Sequence, residues 1–236
     1  MTIAVIPARG GSRRIPRKNI RPFLGKPIIA WSLDAARESG MFDHIIVSTD
    51  DEEIAAVARQ WGAEVPFLRP KELADDHTGT MPVVAHAVRW AQEQGWPADP
   101  VCCIYATAPF ITPEDLKRGH ELLMKSGKVH AFTVTPFPYP VQRALRITDD
   151  GGVEMFQPQH FHSRSQDLEP AWHDAGQFYW SRMEAVLHDI PVFSCHAVPV
   201  EVPPHRVQDI DTEEDWVRAE ILMRILLEMD KKPDDR

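Results

Sequence analysis

At 236 residues, 43% of them apolar and 26% charged, the chain can bury one large core and is too apolar to remain unfolded. Its formal net charge of −9 excludes a broad nucleic-acid-binding face, which needs an excess of Lys and Arg. No apolar run approaches the roughly 20 residues of a membrane span. Three cysteines, the adjacent Cys102 and Cys103 and the distant Cys195, make no disulfide framework and fit buried free thiols in a reducing cytosol. The chain opens directly on a strand-like segment rather than a secretory signal, so a soluble, cytoplasmic protein is expected.

In chain order, residues 3–7 read as a β-strand followed by a Gly-rich loop. Residues 27–39 carry Ile28, Trp31, Leu33, Ala35 and Ala36 as the broad apolar face of a helix. Residues 44–50 form a second strand ending in polar residues, and 51–61 a helix with Ile54, Val57, Ala58 and Trp61 on one side. A short third strand is predicted at 63–68 and a helix at 81–94. The continuous apolar run at 100–107 fits a strand covered on both faces. Thr112 as N-cap, Pro113 in the first turn and Gly127 as the stop delimit the next helix. A strand follows at 130–137.

Residues 136–191 are rich in Pro, His, Gln and aromatic side chains, with short strand signals at 144–148 and 176–180. This pattern predicts an excursion from the sheet, either a lid or a subunit contact. Strand character resumes at 191–200, a closing helix spans 212–229, and the tail at 231–236 is expected to be disordered. Repeated β-then-α units make this a single α/β domain over 1–236, with a mostly parallel central sheet flanked by helices.

Five cations, Arg9, Arg13, Arg14, Arg17 and Lys18, fall within ten residues of an acidic chain, directly after the first strand and beside Gly10, Gly11 and Ser12. Glycines let backbone amides approach an anion, and the carboxyl end of a strand is where α/β sheets place ligands. A phosphate-bearing ligand is therefore expected there. Neither G-x-x-x-x-G-K-[ST] nor G-x-G-x-x-G is present, which excludes a P-loop and a dinucleotide fingerprint. Near the other end, Asp209 and Asp211 point the same way in an extended segment and can hold a hard divalent ion; Asp211 or Thr212, with Glu214 or Asp215 three residues on, reads as a helix cap. Thr78 and Thr80 read as caps of the 81–94 helix. Arg69, Arg143 and Arg164 read as surface residues, and His160, His162 and His173 lack the spacing of a zinc site.

The stretches "IPARGGSRRIPRKN", "IIVSTDDEEIA", "LRPKELADD" and "QDIDTEED", in this order and at this separation, resemble the acylneuraminate cytidylyltransferases. "CCIYATAP", "RSQDL" and "HDAGQFYW" look most like the pseudaminic acid branch. The resemblance implies a fold of nucleotide-diphospho-sugar transferase type with a protruding segment, residues 136–191, that exchanges contacts in a homodimer. It implies CTP and a small acidic sugar as substrates, Mg²⁺ as cofactor, and a CMP-sugar with pyrophosphate as products. By the same resemblance Arg9, Ser12 and Arg13 with Lys18 hold the triphosphate, with Ala8 and Gly11 in the same loop. Asn19 and Arg69 recognise the nucleotide, and Thr80 touches the nucleoside. Asp209 and Asp211 bind the metal and, with Lys18 and Arg13, make the catalytic set. Arg143, Arg164, Gln166 and Asp174 face the sugar.

One departure bears on the substrate. The sialic acid enzymes carry Gln-Pro-Thr-Ser-Pro where this chain has Tyr105-Ala106-Thr107-Ala108-Pro109, which favours a differently substituted sugar. CMP-N-acetylneuraminate or CMP-Kdo synthesis is the alternative within this chemistry, and a non-catalytic nucleotide-binding protein the alternative outside it.

Overall fold

A computed structural model describes residues 1–230; the tail expected to be disordered lies outside the described residues. The chain begins with β1 (Ile3–Pro7), the two-residue strands β2 (Pro22–Phe23) and β3 (Lys26–Pro27), α1 (Ile28–Ser39), β4 (His44–Ser48) and α2 (Glu52–Gln60). It continues with α3 (Thr80–Glu93), β5 (Val101–Ile104), α4 (Pro113–Ser126) and β6 (His130–Pro136). After β7 (Leu145–Ile147) and β8 (Val153–Met155) come β9 (Trp172–Ser181), α5 (Met183–Leu187), β10 (Ala197–Glu201) and α6 (Glu213–Asp230).

Six strands form one sheet in the order β10-β6-β9-β5-β1-β4. The β10–β6, β5–β1 and β1–β4 pairs are parallel, whereas β9 is antiparallel to both neighbours. Side chains alternate across the pleat. Ala4, Ile6, Cys102 and Ile104 pack under α1, α2 and α4, while Ile3, Val5, Val101 and Cys103 pack under α3 and α5. Gly119 in α4 lets that helix settle on β9. A Cβ there would stand 2.7 Å from Phe178 and 2.8 Å from Trp180. The Trp180 indole then reaches Leu116 O at 2.9 Å.

Four expectations need correction. Residues 63–68 make only two isolated bridges to the β4 region, Ile46 with Glu64 and Thr49 with Leu68, and Pro66 has no amide to extend a ladder. The excursion is narrower than 136–191, because β9 lies between β6 and β5 with Gln177, Phe178, Tyr179 and Trp180 buried. What leaves the sheet is the arm at 137–171, with its own β7–β8 pair. Cys195 is exposed, since β10 starts only at Ala197, while Cys102 and Cys103 are buried and burial pushes both thiols up in pKa. Helix α3 starts on Thr80 itself with Gly79 at the cap position and no side-chain cap bond, while the Thr78 hydroxyl donates to Glu72 O at 3.2 Å.

A third apolar cluster joins the chain ends. Trp216, Ala219 and Met223 of α6 pack with Ile15, Phe23, Ile28 and Phe110. Phe23 meets Trp216 edge-on at 5.5 Å, and the Arg21 guanidinium lies 4.4 Å over the same indole. Of the two expected caps, Thr212 rather than Asp211 makes the reciprocal bonds. Asp215 N donates to Thr212 Oγ1 at 3.2 Å, and Thr212 N donates back to Asp215 Oδ2 at 2.9 Å. This docking sets where the segment just before α6 falls.

Candidate active site

The basic loop is moored at the carboxyl end of the sheet by two neighbouring acids. Gly10 N donates to Asp50 Oδ1 at 3.0 Å. Asp51 caps α2 by accepting from Glu53 N and Ile54 N, both at 3.0 Å. It also accepts the Arg17 fork at 2.6 and 2.9 Å. A side chain at Gly10 would collide with Asp51 at 2.7 Å, so this close approach requires glycine. Arg17 itself sits at φ 56°, a left-handed conformation that costs a non-glycine residue energy and is held here by its ion pairs. Asn19, buried next to it, donates to Arg9 O at 2.9 Å.

The Arg17 hydrogen bond, chiefly, holds Asp51 at about 2 against a usual 3.8. The folded state therefore binds this proton less tightly than the unfolded chain, and stability rises with pH through the window from about 2 to 3.8. Asp51→Asn keeps a capping oxygen but loses the ion pair. It should cost about 1–2 kcal/mol at pH 7. Urea midpoints of variant and wild type should converge as the pH falls through that window; a constant gap down to pH 2 would contradict the assignment.

A cavity of about 540 Å³ opens beside this loop. Arg9, Ser12, Arg13, Lys18, Asn19, Arg69, Thr80 and Asp211 all line it. Arg69 is only 6% exposed. Its backbone amide donates to Thr49 O at 2.7 Å, its Nε to Ser48 Oγ at 3.1 Å, and its Nη2 to Ser48 O. Burial lowers its pKa to about 10, which leaves it charged at neutral pH. The surface reading of Arg69 is therefore corrected: it is a desolvated cation in the wall of a cavity.

The two chain ends meet here. Lys18 Nζ donates to Ile210 O at 2.6 Å and lies 3.3 Å from Asp211 Oδ1, while Arg14 pairs with Asp211 Oδ2 at 2.7 Å. Across the cavity Asp76 pairs with Arg9 at 2.8 Å and with Arg13. Asp209 opens on an adjoining cavity rather than on this one. Partial burial first, and then the like charge of Asp211, raise its pKa, an effect tempered because the side chain still meets solvent. Ala8 is fully buried with its amide bonded to Ser48 O at 2.9 Å, and Gly11 is exposed and outside the lining.

Tyr105 borders three cavities: this one, an apolar one of about 430 Å³, and a third of about 690 Å³. The apolar cavity is walled by Met81, Pro82, Tyr179, Val192 and Phe193. Asp174 stands between it and the third, with Oδ2 accepting from the Tyr179 hydroxyl at 2.5 Å. Thr80 Oγ1 lies 3.4 Å from the Tyr105 hydroxyl. Arg143, Arg164 and Gln166 are exposed on the arm and line none of the three cavities; Arg164 pairs with Asp167 at 2.7 and 3.1 Å. Sequence reasoning missed Asp76 and Tyr179 as site residues, had Arg14 only as one of the loop cations, and met Tyr105 only as a departure. The one signal for them was their position inside or beside the quoted motifs.

A cytidylyltransferase family profile matches residues 3–225, almost the whole described chain. This chain belongs to the cytidylyltransferase family. Its relatives include the pseudaminic acid cytidylyltransferase of Campylobacter jejuni, 44% identical over 223 residues, or 94% of this chain and 96% of that protein. The CMP-N,N'-diacetyllegionaminic acid synthase of Legionella pneumophila is 33% identical over 94% of this chain and 96% of its own length. Among solved structures, a CMP:2-keto-3-deoxy-manno-octonic acid synthetase complexed with CTP superposes with a TM-score of 0.69. It is 17% identical and covers 96% of this chain and 100% of its own; at that identity the likeness establishes the shared fold. The cytidylyltransferase fold thus accounts for the mixed, mostly parallel sheet and its flanking helices.

Proposed function

We propose that this cytidylyltransferase acts in the cytoplasm on pseudaminic acid. It would couple the sugar to CTP, releasing CMP-pseudaminic acid and pyrophosphate, with Mg²⁺ as cofactor and a second copy of the chain completing the sugar pocket. The observation that carries this reading is the meeting of Lys18 and Arg14 with Asp211 in one cavity. It joins a cationic cradle to an acidic segment 192 residues away. The 44% identity to the Campylobacter jejuni enzyme supports the sugar. Among the described residues no helix is long and apolar enough to cross a membrane.

The reaction brings a sugar carboxylate and its anomeric oxygen against a triphosphate, so like-charge repulsion is the barrier that positioning must overcome. Arg9, Arg13 and Lys18 supply positive charge along the cavity, and Arg69 a desolvated guanidinium whose field is little screened. The residues fit a hard cation. Asp211 already draws two cations to its oxygens, and Asp209, two residues away, adds a second carboxylate, its pKa raised first by partial burial and then by the charge of Asp211. Mg²⁺ takes one or two carboxylates, with phosphate oxygens and water completing its shell. When bound, such an ion polarises the phosphate and neutralises charge on the leaving pyrophosphate.

The apolar cavity beside Tyr105 suits the acyl methyl groups of an N-acylated sugar acid. The arm leaves Tyr139 and Ile147 80% and 81% exposed, together with Leu145, Val153, Phe156 and Phe161. A surface of that kind calls for a partner. A second copy seated on it would carry Arg143, Arg164 and Gln166 toward the neighbouring sugar pocket.

In CTP-dependent pyrophosphate release, pseudaminic acid should exceed N-acetylneuraminic acid and Kdo in kcat/KM by about tenfold or more, the scale of one or two substituent contacts. The reverse ranking would overturn the substrate. Binding of CTP without release from any sugar acid would favour the non-catalytic reading.

A further inference from the structure

Two carboxylates, Asp76 and Asp211, line the main cavity. A pocket for a polyphosphate gains from cations and loses from each acid, because like charges repel. Asp211 stands two residues from Asp209, where a metal gives it a role. Asp76 does not join them: among the described residues no three His, Cys, Asp or Glu side chains gather to hold a metal. It is turned on the cationic cradle instead. Its Oδ1 accepts from Arg9 Nη1 at 2.8 Å and its Oδ2 pairs with Arg13, while Arg9 Nη1 also donates to Asp75 O at 2.8 Å.

The turn that carries Asp76 is bonded mainly to itself. Asp75 Oδ1 accepts from His77 N at 2.9 Å and from Thr78 N at 2.6 Å, and the Thr78 hydroxyl donates to Glu72 O. Among the described residues, the hydrogen bonds and ion pairs of 71–78 stay within 70–78 except those to Arg9 and Arg13. The paired side chains of Asp76, Arg9 and Arg13 are 30%, 37% and 83% exposed, so a ligand in the cavity can reach them. Exposed ion pairs are individually weak, and a polyphosphate offers the same guanidiniums several charged oxygens at once.

Resting on the reading of the site given above, we propose that Asp76 is an internal anion that occupies Arg9 and Arg13 in the empty pocket, yields them to the triphosphate, and recaptures them as pyrophosphate departs. CTP brings contacts through its nucleoside as well as its phosphates. Pyrophosphate, once cut from the nucleoside, competes with Asp76 through phosphates alone. The acid therefore opposes product retention. Its cost is a weaker apparent affinity for any polyphosphate, set by the fraction of molecules in which the cradle is already taken.

Calorimetry with inorganic pyrophosphate and with CTP, each without added metal, tests this with an unusual sign. Asp76→Asn keeps the shape and removes the charge, and should bind both about 3–30-fold more tightly, the range two exposed ion pairs can contribute. In turnover, added pyrophosphate should inhibit the variant at correspondingly lower concentration. Glu72→Gln neutralises an acid on the same turn that pairs with neither arginine, and should leave pyrophosphate affinity within about twofold because exposed charges are screened. In an Arg13→Ala background the gain from Asp76→Asn should shrink, which a merely loosened turn would not produce. Unchanged or weaker pyrophosphate binding in Asp76→Asn would overturn the proposal. A loss confined to Mg²⁺-containing solution would also overturn it and make Asp76 a metal ligand. Were wild type to release no pyrophosphate with any sugar acid, the cytidylyl-transfer reading would fall, while the binding comparisons would still decide whether Asp76 competes for the cradle.

Discussion

Asp211→Ala lowers kcat for CTP-dependent pyrophosphate release by about 10³-fold or more, the scale of a lost metal-ion contribution of several kcal/mol, while CTP still binds. The expectation follows from what surrounds the carboxylate. Arg14 and Lys18 hold its two oxygens at 2.7 and 3.3 Å, and truncation releases both cations toward the triphosphate. Metal-free CTP affinity should therefore hold or increase, even as turnover and its dependence on added Mg²⁺ disappear. The fold is insulated from the change, since α6 is anchored by Trp216, Ala219 and Met223 and by the Thr212–Asp215 cap. Asp211→Asn, of the same shape, should be nearly as inactive, which would assign the effect to charge. Turnover at the wild-type level in either variant would remove the acidic segment from the chemistry.

Arg69→Met should weaken CTP binding by at least about tenfold and lower the melting temperature at the same time. The side chain fills a buried position against Ser48, and its loss strands the Ser48 hydroxyl and leaves the Ser48 carbonyl with the Ala8 amide alone. Stranded buried groups cost about 1–3 kcal/mol, which in a domain of this size is about 3–10 °C. The binding loss has a separate origin. A guanidinium removed from water interacts with an anion through a weakly screened field. Arg69→Lys should recover part of the binding but not the fork on Ser48. Calorimetry well below the unfolding transition separates the two effects. Unchanged CTP affinity in Arg69→Met would reduce Arg69 to a prop for β4.

The legible parts of the molecule were those whose physics is local. Thr112 before Pro113 made a helix start that the structure repeats at 3.2 Å between its hydroxyl and Asp115 N. The three-and-four spacing in 51–61 became α2, and the Gly-rich basic run after β1 became the wall of the main cavity. Where the prediction failed, the deciding partner lay far along the chain. β9 looked like part of an excursion because its pattern is interrupted by Gly176, and its ladder to β6 shifts register between Phe132 and Val134. Its central place comes from the flanking β5 and β6. Thr80 reads locally as a cap, yet Gly79 takes that position and leaves the Thr80 hydroxyl beside Tyr105.

By itself the sequence determined the cation cluster, the acidic couple and the alternation of strands and helices, because charge, glycine content and hydrophobic period are properties of short stretches. Only the tertiary structure decided that Asp211 stands against Lys18 while Asp209 faces the next cavity, that Asp76 bridges Arg9 and Arg13, and that Tyr105 borders three cavities at once. Those relations depend on α6 docking onto the β2–β3 region and on β9 inserting between β5 and β6. Packing of that kind is settled by the summed contacts of segments as far apart as Ile15 and Met223, and no window of the sequence contains both partners.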